Sequence, residues 1–174
     1  IKAFDEALRQ YGTRSLAELM GPAIEYCEEG FMVRPRVYGF WMQPAQAGRI
    51  ERLRVLTDHP ASAKIYCKPD GSLYQVGETL RNPDMGRTYR RIAEQGVEDF
   101  YTGAIGAEIA ADMAKHGGHI TSEDLRTCAT EHTTPLVSTY RGFEVRTNQP
   151  PGGGLMVVEM LNILENFDLA AMGH

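Results

Sequence analysis

Tyr140-Arg141-Gly142-Phe143, followed by Pro150-Pro151-Gly152-Gly153-Gly154 and the apolar run Leu155-Met156-Val157-Val158-Glu159-Met160-Leu161-Asn162-Ile163-Leu164, carries the fold assignment. The first four residues join two short runs, 136–140 and 143–147, in which Phe143 and Val145 alternate with Glu144 and Arg146. Successive side chains of a strand point to opposite faces, so this period of two predicts a hairpin. The glycine-rich turn then leads into a helix in which Glu159, Asn162 and Asn166 leave only a narrow polar stripe. Most of its circumference is expected to be buried, with a sheet as the natural cover.

Upstream of the hairpin the pattern becomes helical. Ile105, Ile109 and Met113 recur every four residues while Glu108, Asp112 and Lys115 lie elsewhere, which predicts a helix over 104–116 that Gly117-Gly118 stops. Thr121-Ser122-Glu123-Asp124 opens another, with hydroxyl caps and early carboxylates that complement the helix dipole. Asn82-Pro83 reads as an N-cap and a first-turn proline, with Met85, Tyr89 and Ile92 on one face and Gly96 at the end. Lys68-Pro69-Asp70-Gly71 is a turn, flanked by expected short strands at 63–67 and 72–76. Residues 36–56 read as a helix kinked or split at Pro44, whose ring removes a donor and clashes with the preceding turn. Ser15-Leu16-Ala17-Glu18 is a capping box opening a helix over 16–29, and Gly30 supplies its left-handed stop. Residues 1–8 open inside an amphipathic helical pattern with no initiator Met or cap, so the expectation is a piece of a larger domain.

The 174 residues are 43% hydrophobic and 24% charged, enough to bury a core. A net charge of -5, spread along the chain, leaves no basic face for phosphates and argues against nucleic-acid binding. Arg49, Arg52 and Arg54 around Glu51 form the densest basic cluster, read as a solvated helical face. Cys27, Cys67 and Cys128 are odd in number and widely spaced, which fits free thiols and gives neither a disulfide framework nor a metal or redox motif. No apolar run reaches the roughly 18 residues of a membrane span.

Several segments in series resemble the large subunit of the gamma-glutamyltranspeptidase family, within the N-terminal nucleophile hydrolases. They are Arg90-Arg91-Ile92-Ala93-Glu94-Gln95-Gly96 with Asp99-Phe100-Tyr101-Thr102-Gly103, and Gly117-Gly118-His119-Ile120-Thr121-Ser122-Glu123-Asp124-Leu125. Pro135 through Tyr140-Arg141-Gly142, the Pro150 to Gly154 turn and Met160-Leu161-Asn162-Ile163-Leu164-Glu165-Asn166-Phe167-Asp168-Leu169 continue the likeness. Gly12-Thr13, Ser15 to Glu18 and Glu28-Glu29-Gly30-Phe31 begin it. Each piece alone is weak; their order is what is specific. Many relatives carry two serines before a glycine pair where Pro151-Gly152 stand here, which leaves the subfamily and its acyl group open.

The resemblance implies a precursor that cuts itself to expose a threonine at the start of a small subunit, whose freed amine activates the hydroxyl. Donor groups then steady the oxyanion as a gamma-glutamyl group passes to water or an amino acid. It implies no cofactor and no catalytic residue in 1–174, because the segment lies between the family's carboxylate-gripping arginine and its threonine. It further implies the small subunit as partner and a small gamma-glutamyl substrate such as glutathione, leaves a homo-oligomer open, and favours a periplasmic or secreted home over a cytoplasmic one.

Thr133-Thr134 beside His132 imitates the family's nucleophile but precedes Pro135 and the hairpin, so it reads as the start of a strand. His116 and His119 are separated by Gly117-Gly118 and read as loop histidines, not metal ligands; His132 next to Glu131 reads as a surface pair. Gly152, Gly153 and Gly154 at a helix start present backbone N–H groups suited to an anion, yet Val157 stands where a dinucleotide fingerprint needs glycine, and a phosphate-loop lysine is missing. Close packing is the first reading of this turn. Gly152 and Gly153 remain the substrate-binding candidates, through backbone contact with a carboxylate.

The expectation is therefore an α+β segment, an incomplete part of an αββα fold, helical over about 1–130 with a hairpin and packed helix over about 134–167. The parent should be a gamma-glutamyltransferase or hydrolase, and the segment alone inactive. The rivals are a related acylase acting on a glutaryl or poly-gamma-glutamyl amide, and a noncatalytic nucleotide-binding or assembly module. Missing partner strands would leave apolar surface exposed and prone to self-association.

Overall fold

Ser15 caps a helix as the sequence requires: its hydroxyl accepts from the Glu18 N–H, and its own N–H donates to Glu18 Oε2 at 2.8 Å. A computed structural model describes residues 1–45 and 50–173. The chain divides into two units, Ile1–Cys128 and Ala129–His174.

In the first unit, α1 (Lys2–Tyr11) and α2 (Leu16–Glu28) precede β1 (Phe31–Met32), α3 (Pro35–Trp41), α4 (Arg52–Thr57) and α5 (Pro60–Tyr66). Then come β2 (Thr79–Leu80), α6 (Pro83–Gln95), α7 (Glu98–Tyr101), α8 (Ala104–His116) and α9 (Ser122–Thr127). The main packing joins α2 to α6. Asn82 caps α6 by accepting from the Met85 N–H at 3.1 Å, and its own N–H donates to Cys27 O at 2.9 Å. The buried face of α6 differs from the one expected: Met85 is exposed, and Gly86 is buried with Ile92. A methyl group at Gly86 would sit 2.9 Å from Glu28 Cγ and 3.3 Å from Cys27 Cβ, so glycine sets how closely the two helices approach.

β1 and β2 pair antiparallel, Phe31 with Leu80 and Met32 with Thr79. They close on a core of Val33, Trp41 and Leu80, against which Leu56 of α4 and Ile65 and Tyr66 of α5 pack. The expected helix over 36–56 is split, with α3 ending at Trp41 and Pro44 lying between α3 and α4. In the basic cluster, Arg49 lies outside the described residues. Arg54 is exposed and pairs with Asp58 at 2.9 Å, as a solvated face requires, whereas the Arg52 guanidinium is half-buried 3.3 Å from the centre of the Phe40 ring.

The strand expected at 63–67 is replaced by α5. His59 Nδ1 accepts from the Ala61 N–H at 3.3 Å, and Pro60 fills the first helical position, where no donor is needed. Only a bridge between Cys67 and Leu73 remains of the two expected strands. The turn between them is present, with the Gly71 N–H donating to Lys68 O at 2.9 Å.

The second unit holds β3 (Leu136–Tyr140), β4 (Phe143–Thr147) and α10 (Gly154–Leu164). The strands pair with Leu136 opposite Thr147 and Tyr140 opposite Phe143. Arg141 (φ 48) and Gly142 (φ 84) are both left-handed, the geometry that lets a two-residue turn follow the twist of its strands. The hairpin packs on α10, and at the turn the Arg141 N–H donates to Glu165 Oε1 at 2.6 Å while its guanidinium donates to Phe167 O at 2.8 Å. The expected burial of most of α10 is not observed. Gly154 and Val158 are buried and Leu161 is half-buried, while Leu155, Met156, Met160 and Ile163 are exposed, because a two-stranded hairpin covers only one side of a helix.

Candidate functional site

The Gly152-Gly153-Gly154 turn joins β4 to α10, and its three glycines do different work. At Gly154 a methyl group would run into Asn148 O, and it would stand 2.6 Å from Thr147 Oγ1 and 2.7 Å from Asn148 Oδ1. At Gly152 it would overlap the Asn148 side-chain amide. Nothing lies within 4 Å of the same position at Gly153. Gly152 and Gly154 are therefore fixed by close packing against Asn148. Gly153 alone faces open space.

The turn is held from both sides. The Gly152 N–H donates to Gln149 O at 3.0 Å, and the Gln149 side-chain amide donates to Thr134 O at 3.0 Å. Gly153 is the N-cap of α10, its carbonyl accepts from the Val157 N–H at 3.1 Å, and no side chain caps the helix. The helix starts with no carboxylate in its first turn. An anion placed there would meet the positive end of the helix dipole.

Thr133 and Thr134 are exposed in the segment leading into β3, and the contact of Thr134 with the glycine turn is made by its backbone carbonyl. His116 ends α8 and its Nδ1 lies 3.1 Å from Asp112 Oδ1, whereas His119 follows the left-handed Gly117 in a separate loop. Among the described residues no group of three or more His, Cys, Asp or Glu side chains is placed to hold a metal ion.

The segment Arg90 to Gly103 has a structural explanation that spacing alone did not reveal. Arg90 reaches back to Glu28 with two hydrogen bonds of 2.7 and 3.2 Å and so ties α6 to α2. Arg91 donates to Asp99 Oδ2 at 2.5 Å, and Asp99 Oδ1 accepts from the Ala104 N–H at 3.0 Å, capping α8 from α7. The Arg91 guanidinium first, and the Ala104 N–H after it, hold the Asp99 carboxyl below the usual carboxylate range. A methyl group at Gly103 would press 2.6 Å from Asp99 Cα, so that glycine is also set by packing. These residues build the corner between α6, α7 and α8.

One open glycine thus stands at a helix start within this turn. A family model described as Gamma-glutamyltranspeptidase matches residues 1–174. The Glutathione hydrolase proenzyme of Escherichia coli (strain K12) is 36% identical over 174 residues, covering 99% of this chain. The chain spans 29% of that protein's length. The crystal structure of Helicobacter pylori gamma-glutamyltranspeptidase superposes with a TM-score of 0.84 at 31% identity, covering 98% of this chain and 47% of that one. A cephalosporin acylase from Bacillus halodurans superposes with a TM-score of 0.80 at 35% identity, covering 97% of this chain and 31% of that one.

Proposed function

The chain belongs to the gamma-glutamyltranspeptidase family, and from that premise we propose that it is large-subunit scaffold of an enzyme that cleaves gamma-glutamyl amides such as glutathione. The catalytic threonine belongs to polypeptide outside residues 1–174, as the small subunit of the same precursor. One observation carries this reading: the family likeness and the fold extend over essentially the whole chain, which spans 29% of the length of the E. coli proenzyme. The E. coli relative is named a proenzyme, which supports a precursor that is cut. Such an enzyme forms an acyl intermediate on the threonine and passes the gamma-glutamyl group to water or to an amine.

Within this reading Gly153, not Gly152, is the backbone position open to a substrate carboxylate, because the Gly152 N–H already donates to Gln149 O. No helix among the described residues is long and apolar enough to cross a membrane. The exposed apolar side of α10 fits a surface that the rest of the enzyme covers.

The test is release of a chromophore from a gamma-glutamyl anilide. The purified chain 1–174 is expected to give no turnover above a heat-denatured control, and the complete protein to give turnover that glutathione inhibits competitively. Turnover by the chain alone would overturn the proposal. The likeness to a cephalosporin acylase favours a second reading, an acylase of a different side chain. In that case the complete protein would hydrolyse a glutaryl amide and glutathione would not compete.

A further inference from the structure

Asp70-Gly71 is the only Asp-Gly or Asn-Gly pair in the sequence. Aspartate before glycine is the pairing most open to backbone isomerisation, since no side chain hinders attack of the glycine nitrogen on the aspartyl Cγ. Asp70, Gly71 and Ser72 are all exposed. Even so, both reacting groups are engaged. The Gly71 N–H donates to Lys68 O at 2.9 Å, while Asp70 Oδ1 accepts from the Ser72 N–H at 2.9 Å and from the Ser72 hydroxyl at 2.6 Å. The Ser72 hydroxyl first, its N–H second, and Lys68 more weakly hold the Asp70 carboxyl below the usual range, so the neutral form that loses water most readily is scarce.

We propose that Asp70 is a latent site of isoaspartate formation and that the Ser72 hydroxyl keeps it in its native linkage. In the reaction the Gly71 nitrogen bonds to Cγ of the neutral Asp70 carboxyl and its C–OH bond breaks, so that the nitrogen's proton and the departing hydroxyl leave as water and a five-membered succinimide closes. Water then adds to the main-chain carbonyl of that ring, its C–N bond breaks, and the chain continues through Cγ. The net change is an isomerisation with no oxidant or reductant. It lengthens the backbone inside a turn whose ends are pinned, by the Lys68 N–H donating to Ser72 O at 2.7 Å and by the bridge between Cys67 and Leu73, next to buried Leu73.

The experiment is peptide mapping by mass spectrometry after prolonged incubation of the chain at neutral pH, natively and in urea. The expected results are isoaspartate at position 70 in urea, several-fold slower formation in the native wild type, several-fold faster native formation in Ser72→Ala, and a wild-type rate in Ser72→Thr, which keeps the hydroxyl. Equal rates for native and urea-treated wild type, no isoaspartate even in urea, or a native Ser72→Ala rate no faster than wild type would each overturn the proposal. The comparison of native with urea-treated wild type and the Ser72→Thr rate remain decisive if Ser72→Ala fails to fold.

Discussion

Trp41→Ala is expected to cost about 3–5 kcal/mol of stability, the range for deleting a buried large aromatic side chain, and to disrupt the packing of α3 against α4 and α5. Trp41 is 7% exposed and shares its core with Val33 and Leu80. Its ring meets Tyr66 of α5 edge-on at 5.6 Å between centroids and Tyr38 at 6.4 Å, geometries that aromatic pairs favour. It therefore stands where two short helices and the β1/β2 pair converge, and no single neighbour could fill the space it leaves. Native packing of this size is a large share of what stabilises a domain. Urea unfolding followed by circular dichroism measures the loss. Because Trp41 is the only tryptophan, the wild-type transition can be checked independently by its fluorescence. A variant unfolding at the wild-type midpoint would show that Trp41 is not the centre of this core.

Gly154→Ala should destabilise by about 1–3 kcal/mol, as overpacking does, while Gly153→Ala should stay within about 0.5 kcal/mol, as surface changes do. The contrast lies in the neighbours. At Gly154 the added carbon meets the Asn148 backbone carbonyl, which cannot move without shifting the end of β4; at Gly153 it meets nothing within 4 Å. Gly153 also has an ordinary φ of -73, so alanine can adopt its conformation without strain. Paired urea titrations decide the stability claim, and equal losses at the two positions would refute the division of labour within the turn. In the complete enzyme Gly153→Ala is the informative variant: a raised KM for the gamma-glutamyl amide with unchanged stability would place a substrate carboxylate beside it. An unchanged KM would leave the turn purely structural.

What was legible in the sequence was local. The hairpin could be read because period-two alternation on both sides of Arg141-Gly142 leaves little choice of turn, and α8 because Ile105, Ile109 and Met113 mark one face between two glycine boundaries. The β1/β2 pair was not legible, since each strand has two residues and their pairing joins Phe31 to Leu80 across α3, α4 and α5. Residues 63–67 were misread because the strong turn signal at Pro69-Asp70-Gly71 suggested a strand on either side. The decisive start signal was His59-Pro60, further upstream, and it makes the entering arm a helix.

The buried side of α6 was displaced because hydrophobicity does not reveal that Gly86 admits a neighbouring helix. The apolar character of α10 was legible, but burial depends on how much partner surface is present, and one hairpin is too narrow. The candidate turn was locatable from its three glycines. Which of them is open depends on where Asn148 lies, and no spacing rule contains that. The Arg91–Asp99 pair was hidden for a related reason: it bridges a helix break, so periodicity along neither helix predicts it.

The central claim is that residues 1–174 support chemistry performed by a threonine exposed elsewhere in the same precursor. N-terminal sequencing of the polypeptides in the purified complete protein tests it most directly. Two polypeptides are expected, the smaller beginning with a threonine that lies outside 1–174, and replacing that threonine by alanine should leave a single uncut, inactive precursor. A single uncut polypeptide that still turns over gamma-glutamyl amide, or a cut at Thr133 or Thr134, would contradict the account.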